Sequence, residues 1–134
     1  MTDTDEIVQS APAPLTPPEI GNPTYTEAWA LVESAKSLAA PLESASLDDP
    51  RTREQVRKAL RLNWKLWTIF QAELSIENEG GLPVTMRSDI LNLCNFVDKH
   101  TVDSISNPTP EKISTLIDIN CQIANGLLAT IEID

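Results

Sequence analysis

The chain is poor in several residue types, and each shortage narrows what it can be. It holds one histidine, His100, two cysteines, Cys94 and Cys121, and four glycines in 134 residues. No second His or Cys stands at metal-ligand spacing beside His100, so no zinc motif is present. The phosphate-cradling pattern G-x-x-x-x-G-K-[ST] is missing, and Gly80-Gly81 does not supply it. Nothing local supports a nucleophile–base arrangement either. The reading is a protein that is not an enzyme and needs no cofactor or metal, because active sites need perturbed groups converging in a pocket. No run of about 18 apolar residues exists, so no bilayer span is expected. Residues 1–25 lack Lys and Arg, which leaves no basic start for a secretory signal. The two cysteines sit in apolar helical patterns and read as reduced thiols in a cytosol, with a disulfide as the alternative.

Positive charge is also scarce. Asp and Glu number 20 against 10 Lys and Arg. That balance opposes a protein built to coat nucleic acid or to dock on an anionic membrane. The expectation is a soluble, acidic chain long enough for one core.

Residues 1–23 read as a disordered, proline-rich acidic tail. Five of the ten prolines fall there, among small and acidic residues. Such a stretch buries too little apolar surface to offset its ordering entropy. Residues 24–134 read as one all-α domain of four helices. The first opens on Thr24-Tyr25-Thr26-Glu27, spaced as a capping box. Its apolar stripe is Ala28, Leu31, Val32, Ala35, Leu38 and Ala39, with Pro41 as its boundary. The second opens on Asp49-Pro50, an N-cap followed by proline, and runs to about Ile76. Asn78-Glu79-Gly80-Gly81 breaks it. The third starts near Leu82-Pro83, carries Met86, Ile90, Leu93, Cys94 and Val97, and ends near His100–Ser104. The fourth starts at Thr109-Pro110 and carries Ile113, Leu116, Ile117, Ala124, Leu127 and Leu128. It ends at Gly126 or continues through Ile131. Short connections favour antiparallel neighbours, hence a four-helix bundle or a bent variant.

The second helix is the informative one. Val56, Ala59, Leu60, Asn63, Trp64, Leu66, Trp67, Phe70 and Leu74 form one broad stripe, with Leu62 and Ile69 flanking it. The apolar arc is wider than one seam needs. It fits a central helix buried on two sides, or an arc left partly open for a partner helix. The opposite face is basic: Arg51, Arg53, Arg57, Lys58, Arg61 and Lys65 are six of the ten cations. That face is a solvated surface, or a surface for an acidic peptide or RNA.

Asn63 and Asn120 interrupt the stripes of the second and fourth helices. A buried amide is costly unless hydrogen-bonded. They are satisfied separately, or they meet and fix the register of their helices. Trp29 lies off the stripe of its helix, beside Glu33 and Lys36. It is an interface anchor or a ring laid across a neighbouring helix.

Three stretches carry a resemblance: LRLNWKLWTIFQAEL (60–74), LPVTMRSDILNLCNFVDKHT (82–101) and LIDINCQIANGL (116–127). Together with Tyr25, Glu27-Ala28, Ala35 and Leu38, they resemble the FlaF family of bacterial flagellar biosynthesis regulators over roughly residues 24–128. The matching pattern is Asn63, Leu66-Trp67, the Leu82-Pro83 opening, Asp118-Ile119-Asn120 and Gly126-Leu127. Family members tend to carry basic residues after the two motif asparagines; here Trp64 and Cys121 stand there. The resemblance implies a cytoplasmic protein that binds flagellin as a secretion chaperone. It also implies a role in flagellin production and export, beside a second regulator, FlbT, that acts on flagellin messenger RNA. Under this reading the contacts are Trp29, Leu62, Trp64 and Ile69, with Arg57 and Arg61 steering. The alternative is post-transcriptional control of flagellin synthesis, acting on messenger RNA directly or through FlbT. Net acidity and the lack of stacking aromatics on the basic face disfavour direct RNA contact.

Overall fold

The computed structural model describes residues 22–43, 45–76 and 82–131; residues 1–21 of the expected tail over 1–23 and the Gly80-Gly81 break lie outside these, while Asn22 and Pro23 begin the first helix. Four helices occupy the described residues: α1 (Pro23–Glu43), α2 (Pro50–Ser75), α3 (Val84–Ser106) and α4 (Pro110–Ile131). The all-α reading holds.

Local chemistry sets the helix ends. The Asp49 side chain accepts from the Arg51 amide at 3.0 Å, with Pro50 in the first helical turn. Thr109 Oγ1 accepts from the Lys112 amide at 3.2 Å, ahead of α4. The start of α1 differs from the expected capping box. Asn22 is the cap, its Oδ1 accepting from the amides of Thr24 at 3.0 Å and Tyr25 at 3.2 Å. Asn22 thus caps the helix two residues before the expected Thr24, and Glu27 faces α2 instead. Pro41 does not bound α1, which continues to Glu43. Its missing N–H leaves out the one ladder bond to the Ser37 carbonyl, and the helix runs on for two residues. The α3 helix runs past its expected end to Ser106, and α4 continues through Gly126 to Ile131.

The helices pack as a ring, α1 on α2, α2 on α3, α3 on α4 and α4 on α1. The α1–α4 seam is the most extensive, and α3 and α4 approach each other least. Cross-links give the directions. Arg57 bonds Ile105 while Trp64 bonds Asp98, so α2 and α3 are antiparallel. Ser34 meets Asn63 while Glu27 meets Glu73, so α1 and α2 are antiparallel too. Lys112 pairs with Asp103 while Gly126 faces Met86, which makes α3 and α4 antiparallel. A Cβ on Gly126 would stand 3.1 Å from the Met86 methyl, so glycine permits the close approach there. The core is Leu31, Leu38, Val56, Leu60, Trp67, Ile90, Val97, Ile113, Leu116 and Leu127, all essentially inaccessible. Each such side chain contributes roughly 1.5–3 kcal/mol of burial. The edge of Phe70 meets the Trp67 ring at 5.6 Å between centroids.

Candidate functional site

The two stripe-breaking asparagines meet in the middle of the bundle. Asn120 Nδ2 donates to Asn63 Oδ1 at 2.8 Å and to the Leu31 carbonyl at 3.1 Å. Trp67 Nε1 donates to Asn120 Oδ1 at 2.9 Å, and Ser34 Oγ donates to Asn63 Oδ1 at 2.7 Å. Three helices thus share one buried polar knot, and α2 and α4 meet in it across the bundle diagonal. Asn63 Nδ2 is its one orphan, buried without an acceptor. Mid-stripe amides signalled this knot in the sequence; Ser34 carried no signal.

The outer side of α2 is a different surface. Leu62 is 58% exposed and Ile69 50%, although both are large and apolar. They stand one heptad apart, with half-buried Leu66 between them on the same line. At the Ile69 end this line enters a pocket of about 160 Å³ between α1 and α2, lined by Thr26, Glu27, Ala30, Leu31, Leu66, Ile69, Phe70 and Glu73. Its two carboxylates come from opposite helices. Burial first, then a hydrogen bond and repulsion from Glu73, push the Glu27 carboxyl up to about 8. Glu27 and Glu73 were not singled out in the sequence. They lie on separate helices, and nothing local marks either one.

The other expected contacts are distributed as follows. Trp64 is half-buried, and its Nε1 donates to Asp98 Oδ1 of α3 at 3.0 Å. Trp29 is half-buried on α1, near the Glu33–Lys36 ion pair of 3.2 Å. Arg57 Nε donates to the Ile105 carbonyl at 2.9 Å, at the C-terminal end of α3, where a cation complements the helix dipole. Arg53 holds the carbonyls of Leu47 and Asp48 at 2.9 and 3.1 Å. Arg61 is exposed, with Glu54 at 3.9 Å. The basic face is therefore partly committed to the fold. Asp118 is half-buried on α4.

Both cysteines are free and buried. Burial, then Asp98, pushes the Cys94 thiol up to about 11; burial, then Asp118, raises that of Cys121. His100 Nε2 lies 3.0 Å from the Lys112 carbonyl, and its ring stacks on Phe96. Among the described residues, no three His, Cys, Asp or Glu side chains cluster to hold a metal, and no helix is long and apolar enough to cross a membrane.

Comparison with curated proteins and with solved structures gives no match. A family model, described as "Flagellar protein FlaF", matches residues 16–127 and so spans α1, α2, α3 and nearly all of α4. With its four helices and their asparagine knot inside that span, the chain belongs to the FlaF family of flagellar proteins.

Proposed function

We propose that this protein binds flagellin in the cytosol as a secretion chaperone and promotes flagellin production and export. The observation that carries the reading is the open apolar line on α2. Leu62 and Ile69 are exposed on a helix whose other face is core. Exposed apolar surface in a continuous line is a mark of an interaction site. An amphipathic helix laid along it would bury Leu62, Leu66 and Ile69 at i, i+4 and i+7 spacing, the helix-in-groove mode. Trp29 and Trp64 would flank that contact, and exposed Arg61 with Lys65 would steer it. Each buried side chain would contribute about 1.5–3 kcal/mol before ordering costs. Regulation of flagellin synthesis then passes through protein contacts, FlbT among them. With Arg53 and Arg57 already bonded to carbonyls, direct RNA contact has fewer free cations to draw on.

The test is co-purification of the full chain with flagellin, comparing wild type with Leu62→Asp/Ile69→Asp. The expected outcome is loss of flagellin with the helix content kept in circular dichroism, since both side chains are at least half exposed. Retention by the double variant would reject this surface. Binding of flagellin messenger RNA by the purified chain, weakening steeply between low and high salt, would favour direct action on RNA instead.

A further inference from the structure

The pocket at the Ile69 end of the open line has a chemistry of its own. Its floor is apolar, made by Ala30, Leu31, Leu66 and Phe70. Among the described residues its titratable lining groups are Glu27 from α1 and Glu73 from α2, and none of the lining comes from α3 or α4. Over this apolar floor Glu27 and Glu73 share a hydrogen bond, and among the described residues no cation joins them in the lining. A flexible hydrocarbon stem ending in a cation satisfies both halves of such a site.

We propose that this α1–α2 pocket receives a Lys or Arg side chain presented by a helical segment of the partner protein, its stem against Leu31, Leu66 and Phe70 and its cation between Glu27 and Glu73. Charge complementarity selects this occupant over a purely apolar one. An apolar side chain would strip more water from the Glu27–Glu73 pair and bring no charge to offset the loss. The proposal deepens the docking reading above and rests on it only for the partner's identity. It places a basic residue beside the apolar anchors of the bound segment.

A proton linkage follows. In the free pocket Glu27 keeps its proton to about pH 8, because Glu73 faces it and water is partly excluded. An incoming cation favours both carboxylates ionised, so binding at neutral pH releases a proton and tightens as pH rises toward 8.

Two measurements on the full chain decide the matter. The first follows the Glu27 and Glu73 side-chain carboxyl carbons by NMR over pH 5–9, in n-pentylammonium chloride and in sodium chloride of equal ionic strength. The alkylammonium carries the four-carbon lysine stem and its cation, with one further carbon in the place of Cα. The expected result is an apparent Glu27 pKa lower by about one unit in the alkylammonium, a tenfold shift in proton affinity. Identical titrations in the two salts would overturn the proposal. The second is calorimetry with purified flagellin, in buffers of different ionisation enthalpy. Wild type is expected to release a proton, and Glu27→Gln/Glu73→Gln to bind about tenfold more weakly with no release. Equal affinity in that variant would overturn the pocket's role while leaving flagellin docking intact. If wild type fails to bind flagellin, the docking reading falls, and the alkylammonium titration alone decides the pocket.

Discussion

The α1–α2 seam holds two polar clusters, and they are built on opposite plans. At its middle, Ser34 and Asn63 join Asn120 and Trp67 in a knot sealed from water. Roughly 15 Å along α2, at 1.5 Å rise per residue, Glu27 and Glu73 face each other across a pocket open to solvent. The knot uses neutral groups, and all but Asn63 Nδ2 find a partner, so burial costs little once the bonds form. The carboxyl pair offers acceptors to acceptors, and only a retained proton relieves it. Polar groups that find partners inside the chain hold the fold together. A charge that finds no opposite charge there is what remains available to something outside.

The sharpest way to break this contrast is Asn120→Leu. It strips the partner from the buried Trp67 indole and removes the bridge between α2 and α4. We expect a loss of about 3 kcal/mol in denaturant unfolding, with helicity largely kept. A loss under about 1 kcal/mol would show that the knot is no more structural than the pocket. Asn63→Leu should cost only about 1 kcal/mol. It deletes an orphaned donor along with the useful acceptor, so part of the penalty cancels. Equal costs for the two asparagines, measured side by side, would contradict this asymmetry. Ser34→Ala, at the knot's half-buried edge, removes one hydrogen bond and should cost about 0.5–1 kcal/mol by the same measurement.

The pocket should respond to pH and the knot should not. Glu27 is raised from its ordinary 4.5 to about 8, so between these values the folded chain binds more protons than the unfolded one. Stability is therefore full below about pH 4.5 as far as this group is concerned, and its contribution is lost as pH rises through about 8. Comparing melts at pH 6 and pH 8.5 against Glu27→Gln checks the sign. The variant should lose less stability on going to high pH than wild type does. An identical pH response in both would remove Glu27 as the source.

Much of the knot could be read from the chain and little of the pocket. Asn63 and Asn120 each interrupt an otherwise apolar stripe, and an amide placed there must find a partner. Asp49-Pro50 and Thr109-Pro110 carried their caps in adjacent residues, which made two helix starts legible. Glu27 misled, because its spacing from Thr24 imitates a capping box. In the fold, Asn22 takes over the capping and the carboxylate turns to α2. Pro41 misled as well: the helix runs through it to Glu43, so the proline marked the last turn and not the boundary. The Glu27–Glu73 and Trp64–Asp98 encounters depend on how helices are rotated about their axes. Charged and aromatic residues on half-buried flanks do not fix that rotation; the buried stripes do.

Cys94 and Cys121 sit on α3 and α4, the pair of helices that approach each other least. Their thiols are buried and held in the unreactive protonated form. A thiol reagent can reach them only when the protein breathes. Each cysteine is thus a clock fixed to one helix. If Cys94 and Cys121 are labelled at one common rate, the bundle opens as a unit. If Cys94 runs ahead, α3 peels away while the asparagine knot still holds the other three helices.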